Sequence, residues 1–155
     1  MLMNPQRREL LRLGSALGLA LSAGLLTPTQ VFGATWNKPA FDAKSVADVL
    51  KALGAEQAAN AAQVAIIAPD IAENGAVVPV SVSSTASGTE TIVILVDKNP
   101  NTLSAVFSIL PDTEPAISTR IKMNGTSNVL ALVKADGKWM MASKEIKVTL
   151  GGCGG

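Results

Sequence analysis

From Gln63 to the C-terminus the sequence is cut into short apolar runs by turn signals, and this punctuation limits the fold more than any other feature. Residues 64–68 are apolar and stop at Pro69. Residues 77–83 alternate, with Val78, Val80 and Val82 on one face; Pro79 within the run marks an edge strand or a bulge. Residues 91–96 are a continuous, largely β-branched run that ends in the turn cluster Asp97-Lys98-Asn99-Pro100-Asn101. Residues 102–110 close at Pro111, and residues 117–123 alternate up to Asn124-Gly125, a strong turn dipeptide. Residues 128–135 and 138–142 flank Asp136-Gly137, the signature of a two-residue hairpin. Residues 144–150 alternate again, Ile146, Val148 and Leu150 opposing Glu145, Lys147 and Thr149. Seven or eight short strands with regular turns predict a mainly β fold, an immunoglobulin-like antiparallel β-sandwich. No β–α–β alternation is present, so a parallel sheet is not expected.

Composition supports a packed domain. The chain is 48% hydrophobic and 16% charged, and its core must come from small and β-branched residues because aromatics make up only 3%. Ahead of the strands, Val46, Val49, Leu50 and Leu53 stand at i, i+3, i+4 and i+7, which predicts a short helix within 41–53. Gly54 is its expected C-cap and Asp42 one candidate N-cap. Residues 55–62 continue as helix or as loop. The stripe is read as packing on the chain's own sandwich, with a partner surface as the alternative.

The first 33 residues read as an export signal. Arg7 and Arg8 precede an apolar run at 17–26, and Val31-Phe32-Gly33 offers a cleavage site before Ala34. The run is shorter than the about 20 residues a membrane span needs, so no stable membrane insertion is expected after cleavage. The paired arginines in Gln6-Arg7-Arg8-Glu9-Leu10-Leu11 fit a twin-arginine signal; an ordinary signal or an uncleaved anchor are the alternatives. Either signal places the mature chain in the periplasm. Cleavage removes three of the 13 basic residues and one of the 12 acidic ones, leaving a net charge of −1. With no basic block and few aromatics, nucleic acid is not an expected partner.

The expected organisation is therefore a signal at 1–33, a helix-plus-sandwich domain at 34–150 and a carrier arm at 151–155. That arm reads Gly151-Gly152-Cys153-Gly154-Gly155. Its glycines have little conformational preference and no side chains to bury, so the arm is expected to be flexible. Three residues from the last strand reach roughly 10 Å when extended, and the sulfur can enter a narrow pocket. Cys153 is the single cysteine, so it makes no internal disulfide; in an exported chain it is a free thiol or an intermolecular link. The sequence contains no His to act as its base, and no cation stands beside it in the tail. One cysteine makes no zinc site, and no phosphate-binding loop is present. The chain is thus expected to be no enzyme and to hold neither metal nor cofactor, with activation of the thiol left to partner active sites. A Gly-rich end with an incidental cysteine, a ubiquitin-like C-terminal thiocarboxylate, and a partner held by disulfide are the competing readings. Elsewhere, Asp70, Glu73 and Asn74 fit a loop before Gly75, as turn chemistry or as a docking site. Arg120 and Lys122 share a strand face that is simply solvated or attracts an anion or a partner.

The chain resembles the SoxY family, the carrier subunits of the bacterial sulfur-oxidising (Sox) system. The terminal Gly151-Gly152-Cys153-Gly154-Gly155 carries the resemblance, supported by Ala68-Pro69-Asp70-Ile71-Ala72-Glu73-Asn74-Gly75-Ala76-Val77-Val78-Pro79-Val80, by Asp97-Lys98-Asn99-Pro100 and by Ser118-Thr119-Arg120-Ile121-Lys122. It implies that thiosulfate is joined oxidatively to Cys153 by a c-type cytochrome partner, giving a cysteine S-thiosulfonate. A hydrolase then releases sulfate and leaves a persulfide. A sulfane dehydrogenase or a sulfur-transfer route handles the remaining sulfur. It further implies a heterodimer with a SoxZ-like β-sandwich subunit that has no signal of its own.

Overall fold

The computed structural model describes residues 37–151. The signal at 1–33 and Gly152, Cys153, Gly154 and Gly155 lie outside the described residues. Two short helices lead: α1 (Lys38–Asp42) and α2 (Val46–Leu53). Nine strands follow: β1 (Ala59–Asn60), β2 (Val64–Ile67), β3 (Ile71–Asn74), β4 (Val78–Ser84), β5 (Thr89–Val96), β6 (Leu103–Ser108), β7 (Ala116–Ile121), β8 (Ser127–Ala135) and β9 (Lys138–Leu150). One sheet runs β1-β9-β8-β5-β6, with β3 also on β9; the other runs β2-β4-β7. The expected two-sheet sandwich with short N-terminal helices is what forms.

The continuous apolar runs have a simple cause: β5 and β8 are buried on both faces. Ile92, Ile94 and Val96, with Val129, Ala131 and Val133, face the small sheet and meet Val78, Val80, Val82 and Ile146. The intervening Val93, Leu95, Leu130 and Leu132 face the other way and are covered by the helices. Val49 is fully buried there and Val46, Leu50 and Leu53 pack beside it, so the helical stripe covers this chain's own sheet. Three layers result, and a strand in the middle layer needs apolar residues at every position rather than at alternate ones.

Several local expectations change in the structure. The helix expected at 41–53 is divided, because Ala43 is extended and Ser45 starts a new helix as N-cap, its hydroxyl accepting from Asp48 N at 3.1 Å. Asp42 therefore ends α1 and caps nothing; Asn37 is the cap of α1. Gly54 does end α2, with φ 65° in the left-handed region. Residues 55–62 are turn plus β1.

Two pairings are parallel, against expectation: β1 and β3 both align with β9. The signal was hidden because both are very short and no crossover helix separates them from their neighbours. The runs expected at 138–142 and 144–150 join into a single strand, β9, of 13 residues. Asp136-Gly137 makes the predicted hairpin between β8 and β9, both residues having positive φ (47° and 73°) as a type I′ turn demands. Asn124-Gly125 makes none, because β7 and β8 belong to different sheets and the chain crosses between them there. Pro79 lies in the middle strand of the small sheet, yet β2 pairs only with 81–84, so at Pro79 one side of β4 is free of a partner.

One buried group is unsatisfied. Thr102 is fully buried, its backbone N–H donates to Ala43 O at 3.2 Å, and its hydroxyl has no partner among the described residues. A buried hydroxyl without a hydrogen bond costs about 1–3 kcal/mol. Thr102→Val is nearly isosteric and is expected to raise unfolding stability by about 1 kcal/mol, read as a higher urea midpoint at unchanged slope. Ser45→Ala is expected to lower stability by about 1 kcal/mol through loss of the cap, measured the same way.

Candidate functional site

The tail leaves the domain from the end of β9, and three sequence segments far apart in the chain meet to fix that point. β9 outlasts its antiparallel partner β8, whose register with it stops at Ile146. Beyond that, β3 takes over in parallel, aligning Ile71 with Lys147, Ala72 with Val148 and Asn74 with Leu150. Lys147 N donates to Asp70 O at 2.9 Å, and the Thr149 hydroxyl donates to Glu73 O at 3.1 Å. Gly75 N donates to Leu150 O at 2.8 Å. Asp70, Glu73 and Asn74, expected in a loop, thus flank or form a strand that grips the last turn of chain before the tail. Asn74 also keeps its turn role, its Oδ1 accepting from Ala76 N at 2.9 Å. The Asp70 carboxylate meets Lys144 Nζ at 2.9 Å, and the same ammonium donates to Ala68 O at 2.6 Å.

The other side of the exit is made by the crossover from β7 to β8. Met123 N donates to Gly75 O at 2.7 Å, and Val148 N donates to the Thr126 hydroxyl at 3.0 Å. The turn after β5 holds this crossover in place. Asn99 Nδ2 donates to Lys122 O at 2.7 Å while Asn99 Oδ1 accepts from Asn124 N at 3.0 Å. The Asp97 carboxylate accepts from Asn128 N at 2.9 Å and from Asn128 Nδ2 at 2.8 Å. Lys98 Nζ donates to Thr126 O at 3.2 Å. In the sequence Asp97, Asn99 and Asn124 read only as turn formers; the side chains of Asp97 and Asn99 in fact stitch two loops that no local pattern connects, with Asn124 contributing its backbone N–H.

Gly151 closes the arrangement. A β-carbon at this position would stand 2.5 Å from the Asn124 carbonyl oxygen. Gly151 is therefore packed against the crossover, and of the five tail residues it alone is a described part of the sandwich end. Cys153, Gly152, Gly154 and Gly155 lie beyond the described residues, so the site consists of a fixed root two residues before the thiol.

Around this root the surface is polar and cationic. Asn99, Pro100, Asn101, Lys122 and Asn124 line a hollow of about 320 Å³. Arg120, on β7, and Lys122, just past its end, are exposed, and no carboxylate pairs with either among the described residues. Among the described residues no group of three or more His, Cys, Asp and Glu side chains could hold a metal ion. No helix among them is long and apolar enough to cross a membrane.

A family model described as sulfur oxidation protein SoxY matches residues 49–153. Among solved structures, the sulfur carrier protein SoxY from Chlorobium limicola f thiosulfatophilum is 35% identical, with a TM-score of 0.61 over 74% of this chain and 100% of that one. A superoxide reductase (neelaredoxin) from Ignicoccus hospitalis reaches a TM-score of 0.50 at 19% identity, over 56% of this chain and 80% of that one, and shows a shared fold alone. Against curated proteins the chain finds no match. The matched span takes in the second half of α2, the whole sandwich and the tail as far as Cys153, and the chain therefore belongs to the SoxY family of sulfur oxidation proteins.

Proposed function

We propose that the mature chain is a periplasmic carrier that holds sulfur intermediates of thiosulfate oxidation covalently on Cys153. The observation that carries this reading is the root of the tail. Leu150 is held by β3 and Gly75, Gly151 passes close against the Asn124 carbonyl, and the family match runs on to a cysteine two residues further. The segment that carries this thiol has no side-chain bulk beside the cysteine, as delivery to a foreign active site requires.

The chemistry asks little of the carrier. Joining thiosulfate to the Cys153 thiol forms an S–S bond, releases one proton and sends two electrons to an acceptor, which the family resemblance makes a c-type cytochrome. The product, Cys153–S–S–SO₃⁻, is attacked by water at the sulfonate sulfur in a partner hydrolase. Sulfate and a proton leave, and the persulfide Cys153–S–SH remains for a sulfane dehydrogenase or a sulfur-transfer partner. Every bond made or broken lies at or beyond the Cys153 sulfur. The absence of His from the sequence fits this division of labour, in which bases and electron acceptors belong to the partners. A SoxZ-like β-sandwich subunit completes the carrier as a heterodimer. Export of that signal-less subunit with a folded chain fits the arginine pair Arg7-Arg8.

Incubating the mature protein with thiosulfate and its cytochrome partner is expected to add mass at Cys153, located by peptide mass spectrometry. An unmodified wild-type chain, or the same adduct in Cys153→Ser, overturns the proposal. A stoichiometric disulfide to one protein in fresh periplasmic material, seen on a non-reducing gel, would support instead a structural tether. At the root, Gly151→Ala places a methyl group against the Asn124 carbonyl. It is expected to lower stability by about 1 kcal/mol, the low end for overpacking because the neighbouring chain end can yield; an unchanged urea midpoint contradicts the close approach.

A further inference from the structure

Two Asn-Gly steps occur in the chain, Asn74-Gly75 and Asn124-Gly125, and both stand at the root of the tail. An asparagine before a glycine carries a reaction of its own. The backbone nitrogen of the glycine attacks the asparagine Cγ, closes a cyclic imide (a succinimide) and expels ammonia. Glycine permits this best, because no β-carbon crowds the nitrogen or restricts the backbone. The attack has two requirements. The glycine N–H must be free to lose its proton, and the side-chain amide must be free to turn onto the nitrogen.

The fold treats the two steps oppositely. Asn74 is the last residue of β3 and is aligned with Leu150. Gly75 is buried, and its N–H donates to Leu150 O at 2.8 Å. Asn74 Oδ1 is held by Ala76 N at 2.9 Å. Attack at this step would break both bonds and open the end of the β3–β9 pairing. Asn124-Gly125 lies instead in the irregular crossover between β7 and β8. Asn124 is exposed, and neither its side-chain amide nor the Gly125 N–H has a hydrogen-bond partner among the described residues. The flanking backbone is held, since Asn124 N donates to Asn99 Oδ1 at 3.0 Å and the Ser127 hydroxyl donates to Gly125 O at 2.6 Å. Lys122 lines the same hollow as Asn124, and Lys98 Nζ donates to Thr126 O at 3.2 Å. Positive charge on both sides favours loss of the amide proton and steadies the oxyanion that the attack creates.

We propose that Asn124 is a site of spontaneous covalent modification, converted through a succinimide with Gly125 to aspartate and isoaspartate, while the fold protects Asn74 from the same reaction. Water opens the imide at one of its two carbonyls. Opening at the side-chain carbonyl leaves an aspartate on the normal main chain. Opening at the main-chain carbonyl leaves isoaspartate. The chain then runs through Cβ and Cγ, one atom longer, and the former main-chain carbonyl becomes a free carboxylate. In sum a water is consumed, ammonium is released and a carboxylate replaces an amide; no oxidant or reductant takes part. The carbonyl concerned is the one that Gly151 passes closely, and the next residue but one, Thr126, receives the Val148 N–H on its hydroxyl. Isoaspartate thus puts a charge and a longer backbone at the contact that sets the root of the tail. The inference does not rest on the carrier reading.

The test uses the mature full-length chain, capped on Cys153 with iodoacetamide so that no disulfide forms. Samples are held warm in mildly alkaline buffer, folded or in urea. Peptide mass spectrometry follows them, with fragmentation that separates aspartate from isoaspartate. In the folded chain Asn124 is expected to gain the mass of an NH-to-O exchange, with isoaspartate among the products, and Asn74 to remain an amide. In urea, where neither step is held, the two should convert at equal rates. Gly125→Ala should abolish conversion at Asn124 and keep the wild-type urea midpoint, because a β-carbon there meets nothing within 4 Å and φ at Gly125 is not positive. Isoelectric focusing should show a species with one more negative charge in aged wild type and not in aged Gly125→Ala. Backbone amide NMR should show shifted Val148 and Gly151 signals in the same aged wild type only. An Asn124 that stays intact in the folded chain while both steps convert in urea overturns the inference, as does an Asn74 that converts in the folded chain as fast as Asn124. Unmoved Val148 and Gly151 signals in a converted sample overturn the effect on the tail root. Thiosulfate and the cytochrome enter nowhere, so their failure to load Cys153 bears on the carrier reading alone.

Discussion

Burial of β5 and β8 on both faces is the constraint from which the rest of this structure follows. Ile92, Ile94 and Val96 look into the sandwich while Val93 and Leu95 look at the helices, so neither strand can slip by one residue without exchanging two complementary apolar sets. The helices are consequently part of the fold and cover a face that would otherwise be open. With β8 fixed, β9 is fixed through nine aligned pairs, and the end of β9 is where the functional tail departs. A core of small branched residues thus sets the point from which the tail leaves the sheet.

Much of this was legible in the sequence, for physical reasons that differ by element. The strands β4 to β8 announced themselves through turn residues and runs, and Asp136-Gly137 named its own turn because few residues other than Gly, Asn and Asp accept a positive φ, and this turn needs two in succession. The stripe Val46, Val49, Leu50, Leu53 located α2, and Gly54 its end. Two kinds of information were not local and could not be read. One was the parallel pairing of β1 and β3 with β9, where a four-residue strand such as Ile71–Asn74 carries no pattern longer than chance. The other was the role of Asp97 and Asn99, whose side chains bind a loop 23 to 31 residues away in sequence. Asn and Asp at turns have local work to do, which conceals any distant partner.

The candidate site divides in the same way. Cys153 and its glycine neighbours stood out as a motif because nothing else in the chain resembles them. Their anchor did not: Gly151 looked like one more flexible glycine, whereas its lack of a β-carbon is what lets the chain pass the Asn124 carbonyl. The three body segments that carried the family resemblance, 68–80, 97–100 and 118–122, each contribute to the tail root or to the groove beside it. Their common feature is position in space around one strand end.

The parallel pairing of β3 with the last four residues of β9 has a mechanical consequence. On the proposed carrier reading, partners would grip the tail at its tip, and each exchange would tug on the domain. Because β3 lies alongside β9 up to Leu150, a pull directed along β9 loads their hydrogen bonds together, in shear, and cannot peel them apart singly. The tail is in this sense hung from a seam whose bonds share the load.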